Sequence, residues 1–300
     1  MFIYERKRKC PAIALAAFAL LACSSWQAAA QRQSAGAQSK HHFFAWVGGG
    51  YSRLDLHLND IAAQGGLGGN LGAGYGYALS AHWAISTGLE FALVGSSTKP
   101  VTPATERKLR DTEGATLTMR YTFNRYQERQ QAHYLNIPLS VEYAHGMFYG
   151  GVGAKVGLLL SATAVTAASP VVTAGEYDDY IGSFEDMPDH FFTKNDTRAT
   201  NPLSLATNIM VCAEAGVNLT RIRQKLPLRA ALFCDYGISN LQKSAGKELV
   251  EYGDNPLNVT LNSIAANAST RITSLMAGLK LTLFLKAATP KRDYPCNCGK

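Results

Sequence analysis

Seven ionisable side chains fall inside segments whose other residues alternate between apolar and small or polar: Glu90, Glu142, Lys155, Glu214, Arg229, Asp235 and Lys280. Charge in such a setting does one of two things. It forms a sealed network of salt bridges, because an unpaired buried charge costs several kcal/mol. Alternatively it lines a path for ions or protons, the default reading of ionisable groups within a membrane. Pairing across neighbouring segments would join Glu142 to Lys155, Glu214 to Arg229 and Asp235 to Lys280. A second group lies between such segments. Glu176, Asp178, Asp179, Glu185, Asp186 and Asp189 are interleaved with Tyr177, Tyr180, Phe184, Phe191 and Phe192. A basic stretch of Arg107, Lys108, Arg110, Arg120, Arg125 and Arg129 is opposite to them in sign. The two loops can pair into a cap, or the acidic-aromatic loop can meet a partner or the divalent cations that bridge lipopolysaccharide. The acids do not follow EF-hand spacing, so no dedicated calcium site is expected.

Catalytic chemistry is harder to assemble. A Ser/His/acid hydrolase needs its three groups within hydrogen-bond reach. Here His82 and His145 fall near short turns, while His133 and His190 fall at long connections. Asp189-His190 is the one hint of an acid–base pair, and Walker, Rossmann and zinc-protease motifs are absent. No catalytic, cofactor-binding or metal-ligating set is expected, and the chain reads as a non-enzyme. Cys212 and Cys234 fall on opposite faces of successive segments, which disfavours a bridge. Cys296 and Cys298 supply only two ligands, too few for a metal site.

The elements that must position these groups are strands. From Leu205 to Leu219 the odd positions read Leu, Thr, Ile, Val, Ala, Ala, Val, Leu, with Ala, Asn, Met, Cys, Glu, Gly and Asn between them. A strand sends successive side chains to opposite faces, so one face is apolar and the other polar. Eight such stretches are expected at 43–57, 66–79, 82–95, 132–145, 147–163, 205–221, 226–240 and 271–286. Connections 79–82, 145–147 and 221–226 are short; 57–66, 95–132, 163–205 and 240–271 are long. This strict alternation is that of an all-β, eight-stranded antiparallel transmembrane β-barrel, with short periplasmic turns and long extracellular loops. Leu89, Leu139, Val211, Leu232 and Leu281 should face lipid, and the seven charges should face inward. Trp83, Tyr143 and Tyr236 suit the interfacial aromatic girdles. Three details are less regular. Gly48-Gly49-Gly50 allows a bulge and a change of phase in the first strand. Pro138 cannot donate to a ladder, so a local bulge is expected there. Residues 115–126 can be read as a strand, which would make nine; we read them as a loop extension above the membrane.

The remaining sequence fits export. Glu5-Arg6-Lys7-Arg8-Lys9 precedes an apolar run from Pro11 to Cys23, and Ala28-Ala29-Ala30 gives the small-residue pattern that a signal peptidase cuts. Leu20-Leu21-Ala22-Cys23 resembles a lipobox, although Leu two before Cys fits poorly. The expected organisation is a signal peptide over 1–30, a linker over 31–42, the outer-membrane barrel over 43–286 and a short periplasmic tail over 287–300. The formal net charge is +7. The signal segment carries four of the bases and one of the acids, so the mature charge falls to +4. That gives little reason to expect nucleic acid as a partner. A mean hydropathy of -0.07 suits a barrel whose inner half is polar.

The stretches YLNIPLSVEYAHGMFYGGVGAKVGLLLSA and GAGYGYALSAHWAISTGLEFALVG resemble the small outer-membrane β-barrel domains of the Bacteroidota, the group that includes the PorT-like proteins. The resemblance covers about residues 43–286 and rests on strand rhythm plus the Y-L-x-I-P-L element at Tyr134–Leu139. It implies a cell outer membrane protein with a structural or interaction role through its loops. Its partners would be outer-membrane lipid, lipopolysaccharide and other envelope or secretion proteins. An accessory role in protein secretion, as in PorT-like relatives, and a lipid-modifying enzyme are the alternatives. N-terminal sequencing of the mature protein should begin at Gln31; a start at a lipidated Cys23 would replace that cleavage site.

Overall fold

The computed structural model describes residues 40–56, 63–110, 114–169, 171–177, 183–185, 197–219, 227–243, 248–252, 259–267 and 271–285. The expected signal segment and tail lie outside these, as does the expected linker up to residue 39; the linker's last two residues, His41 and His42, instead begin the first strand. Fifteen strands are present among the described residues. In chain order they are β1 (His41–Leu56), β2 (Ala63–Ala78), β3 (Trp83–Thr98), β4 (Ala104–Arg110), β5 (Thr116–Phe123), β6 (Gln127–His145), β7 (Phe148–Ala168), β8 (Val171–Tyr177), β9 (Ser183–Glu185), β10 (Thr197–Pro202), β11 (Asn208–Asn218), β12 (Leu228–Gly237), β13 (Val250–Tyr252), β14 (Val259–Leu261) and β15 (Ile272–Leu285).

Eight of these form a ring of antiparallel pairs, β1-β2-β3-β6-β7-β11-β12-β15, with β15 returning to β1. This is the expected eight-stranded transmembrane β-barrel. Closure leaves no strand of the ring with an unpaired edge, which is what hydrocarbon requires of a sheet. The outer face is apolar: Val47, Leu71, Leu89, Leu139, Val152, Val211, Leu232, Leu279 and Leu281 are all exposed. The run Leu275 to Leu285 on β15 has the length of a tilted spanning strand, about 9–11 residues. Trp83 and Tyr143 pack at 4.9 Å at the rim that carries the short turns. Tyr236 and Tyr51 are exposed toward the opposite end of the band.

The structure corrects four details. Even-numbered residues of β1 face inward from Phe44 to Leu56, and its register with β15 runs unbroken through Gly48–Gly50, so the phase does not change there. The glycines are used instead for close approach: Gly278 opposes Gly50, and a Cβ on either would strike the other strand's backbone. Pro138 makes no bulge. The ladder with β3 skips the pairs around Gly88 and Leu89 but keeps its register, and Thr87 Oγ1 donates to Pro138 O at 2.8 Å. The β6–β7 bulge lies five residues away, between His133 and Tyr134. It changes the inward set on β7 from odd to even positions, from Gly157 to Ala162 and Ala164.

The fourth correction is the largest. Strands β6 and β7 begin and end well beyond the apolar band, and β10 adds to the outer end of β7. Residues 116–123 form β5, a strand that belongs to a second sheet, β4-β5-β8-β9, and adds nothing to the ring. One face of β5 buries Leu117, Met119, Tyr121 and Phe123 against Tyr126, Val171, Leu249, Val250, Leu261 and Ile264. The long connections therefore build a cap with its own apolar core, to which side chains of that size give about 1.5–3 kcal/mol each when fully buried.

Glu128 fastens the cap to β6. Its Oε1 accepts from Gln130 Nε2 at 2.7 Å and Ser263 Oγ at 2.6 Å; its Oε2 accepts from Tyr126 OH at 2.9 Å and Ile264 N at 2.8 Å. Burial and the Glu128 charge push the Tyr126 phenol far above its ordinary range, so it remains a donor. Glu128→Ala would leave three buried donors without an acceptor, each costing about 1–3 kcal/mol, and Ile264 N with only Tyr126 OH at 3.3 Å. Hydrogen exchange across 116–123 and 259–264 should accelerate at least tenfold in this variant, while heat-modifiable migration of the barrel on gels is retained.

Candidate functional site

All seven charges expected inside the barrel face inward. At the centre, Lys155 Nζ lies 3.0 Å from both Glu90 oxygens and 2.8 Å from Asp235 Oδ2. Glu90 also accepts from Trp46 Nε1 at 3.0 Å and Asn136 Nδ2 at 2.8 Å. Nearer the short-turn rim, Arg229 Nη1 donates to Glu142 Oε2 at 2.8 Å, with its guanidinium between the rings of Tyr149 and Phe284 at 4.5 and 4.4 Å. Ser86 Oγ donates to Glu142 Oε1 at 3.0 Å. Lys280 pairs with Glu214 and lies over Trp46.

These are not the pairs expected between neighbouring strands. Glu142 lies opposite Gly151, Glu214 opposite Phe233 and Asp235 opposite Met276. Each expected partner is therefore four residues out of register, about 13 Å along a strand. The bonds instead span the lumen, between strands two or three places apart in the ring. Inward glycines make this possible: Gly72 lies beneath Trp46, and Gly74 beneath Phe44.

The network encloses a cavity of about 50 Å³ lined by Glu90, Lys155, Asp235, Glu214 and Arg229, and a second of about 10 Å³ beside Asn136, Asn208 and Asp235. That is room for a few waters. Toward the cap the lumen is filled by apolar side chains, among them Leu54, Val94, Tyr134, Leu205, Leu241, Ile272 and Met276. Among the described residues, the paired charges lie below this packed apolar layer. The sequence reading missed Trp46, Asn136 and Glu128 as members of these networks. For Glu128 a signal existed, an acid alternating with Tyr126 and Gln130, but its partners lie more than a hundred residues away at Ser263 and Ile264.

Of the loop candidates, Glu176 is exposed on β8 and opposite Thr118 of β5, and Glu185 pairs with Ala174 as part of β9. Asp178, Asp179, Asp186 and Asp189 lie outside the described residues, as does His190. The basic and acidic loops do join, though chiefly through the β5–β8 ladder and the apolar core. Arg120 bonds Glu106 within its own hairpin at 2.7 Å, and Arg107 bonds Glu248 and Val250 O across to another connection. His82 and His145 stack at the short-turn rim with centroids 5.7 Å apart, and His133 stacks on Phe91. Among the described residues no three His, Cys, Asp or Glu side chains converge as a metal site would require. Cys212 and Cys234 are free and face opposite sides.

No family model matches the chain, and no curated protein matches it in sequence. Among solved structures, the chain is similar to Ail, the attachment invasion locus protein of Yersinia pestis. The crystal structure of Ail with the heparin analogue sucrose octasulfate is 10% identical, with 82% of this chain and 100% of that chain covered and a TM-score of 0.28. The structure of Ail alone is 9% identical over the same coverage, with a TM-score of 0.30. Similarity this low carries no argument about function, and the fold rests on the strand pairings themselves.

Lys155 is shared by two carboxylates, Glu90 and Asp235. Lys155→Met should destabilise the barrel by about 3–5 kcal/mol, the cost of leaving buried charge unpaired. Adding Glu90→Gln and Asp235→Asn to that variant should recover most of the loss. Urea unfolding in micelles measures both.

Proposed function

We propose that this chain is an exported outer-membrane protein of the cell envelope, non-catalytic, whose work is done by the cap that its long connections form outside the cell. The observation that carries this reading is the division of the molecule. Its lumen is closed by a charge network and an apolar layer, while β6 and β7 extend past the apolar band to support a second sheet with a core of its own. A surface built on a rigid scaffold in this way suits contact with partners. In this reading the short turns and both chain ends are periplasmic, residues 1–30 are a signal peptide, and the interior charges serve the barrel's integrity. The candidate contact residues are Glu176 and Glu185 on the cap, together with Asp178, Asp179, Asp186 and Asp189 outside the described residues, with outer-membrane lipid, lipopolysaccharide and other envelope proteins as the partners to test.

Orientation and closure are both open to measurement. An impermeant amine reagent applied to intact cells should label Lys108 on the cap and spare Lys40 at the opposite rim; the reverse pattern would overturn the topology. In planar bilayers the purified protein should show no conductance steps, and regular openings would replace the structural reading with a pore. Fractionation with inner membranes or cytosol would remove the reading altogether.

A further inference from the structure

The outer flank above the apolar band on β3, β6, β7 and β10 carries charge of one sign. On β6 the outward positions above Leu135 are His133, Gln131, Arg129 and Gln127; on β7 they are Ser161, Thr163, Val165 and Ala167; on β10 they are Arg198, Thr200 and Pro202. Arg129 lies opposite Ser97 of β3 and Val165 of β7, Val165 lies opposite Thr200, and Arg198 lies opposite Ala167. Lys99 follows two residues after Ser97, and all three basic residues are exposed. No acid stands on this face among the described residues; Glu128, the nearest along the chain, is buried in the cap's anchor. Two strand spacings and a two-residue offset put the Arg129 and Arg198 Cα atoms about 12 Å apart, within the span of one headgroup.

We propose that this flank binds the phosphorylated saccharide headgroup of an anionic glycolipid, with Arg129 and Arg198 gripping phosphate and Lys99 adding charge. Height selects this ligand over a phospholipid. Arg129 is four residues beyond His133, which lies level with Leu93 of β3 and beside the exposed Leu160 of β7, the top of the apolar band here. That is about 13 Å along the strand and about 9 Å above the band at a 45° tilt. A phospholipid headgroup layer occupies only about 5–7 Å per leaflet. A sugar headgroup bearing phosphates reaches the higher level. Guanidinium groups suit the task because they hold phosphate by two parallel hydrogen bonds. The outer face of the cap is a poorer site for a polyanion, since Glu106 bonds Arg120 there and Glu176 shares the face.

The inference rests on the outer-membrane reading and deepens it by moving the lipid contact from the acidic loop to this basic flank. The full-length protein in neutral micelles, titrated with purified lipopolysaccharide, with the same lipopolysaccharide after phosphatase treatment and with phosphatidylglycerol vesicles, tests it. The wild type should bind the phosphorylated form at least tenfold more tightly than either other probe, and salt should weaken that binding. Arg129→Gln with Arg198→Gln should lose most of that preference while keeping heat-modifiable migration; Lys108→Gln with Arg110→Gln on the cap should keep it. Equal binding of intact and dephosphorylated forms by the wild type, a measurement that needs no variant, would overturn the proposal. So would phosphatidylglycerol bound as tightly as lipopolysaccharide, or equal loss in the two double variants. A protein found in the outer membrane that binds both forms alike would end this inference and leave the broader reading intact.

Discussion

Hydrocarbon offers a peptide bond neither a donor nor an acceptor, and each backbone group left open in it costs several kcal/mol. The ring meets that constraint by closing on itself, with β15 against β1, and the β6–β7 seam carries the ring past the membrane. Its ladder runs from Gln127 opposite Ala167 to His145 opposite Phe148, the longest in the barrel. It spans the membrane and continues beyond it. The same pair of strands therefore forms part of the cylinder and lifts the cap.

Closure also decides the interior. An eight-stranded ring leaves a lumen just wide enough for side chains to fill, so every inward charge has to find its counter-charge across the bore. Lys155 does so by reaching strands two places away on either side, and Arg229 by reaching three. Each bridge is supported by neutral donors or aromatic faces: Trp46 and Asn136 on Glu90, Ser86 on Glu142, Tyr149 and Phe284 around Arg229. The apolar layer from Leu54 to Met276 lies above the network.

The cap repeats the logic in water. There an edge need not be closed, and the second sheet is open, held to the barrel wall by one apolar core and one buried carboxylate with four donors. A polar anchor of this kind confers geometric specificity, since Glu128 is satisfied only when Ser263 and Ile264 occupy their places. The outer flank below it is basic, with Lys99, Arg129 and Arg198 exposed, whereas the cap's outer face mixes signs; the two surfaces are suited to different contacts.

Alternation along the chain was sufficient, by itself, to determine that eight strands span and, apart from the phase of β1 and the outer part of β7, which side chains face lipid and which face the lumen. These follow from a period of two read residue by residue, which holds wherever a ladder runs without a bulge. Leu117, Met119, Tyr121 and Phe123 obey the same period, yet sequence cannot tell a ninth stave from a strand in a separate sheet, because that depends on β8 pairing from fifty residues away. The ion pairs were equally out of reach. A four-residue stagger between neighbouring strands moves each charge about 13 Å along the barrel, and only the closed ring sets that stagger. Tertiary structure thus decided the partners of Lys155, Arg229 and Lys280 and the existence of the cap, since both depend on relations between distant segments that no local pattern encodes.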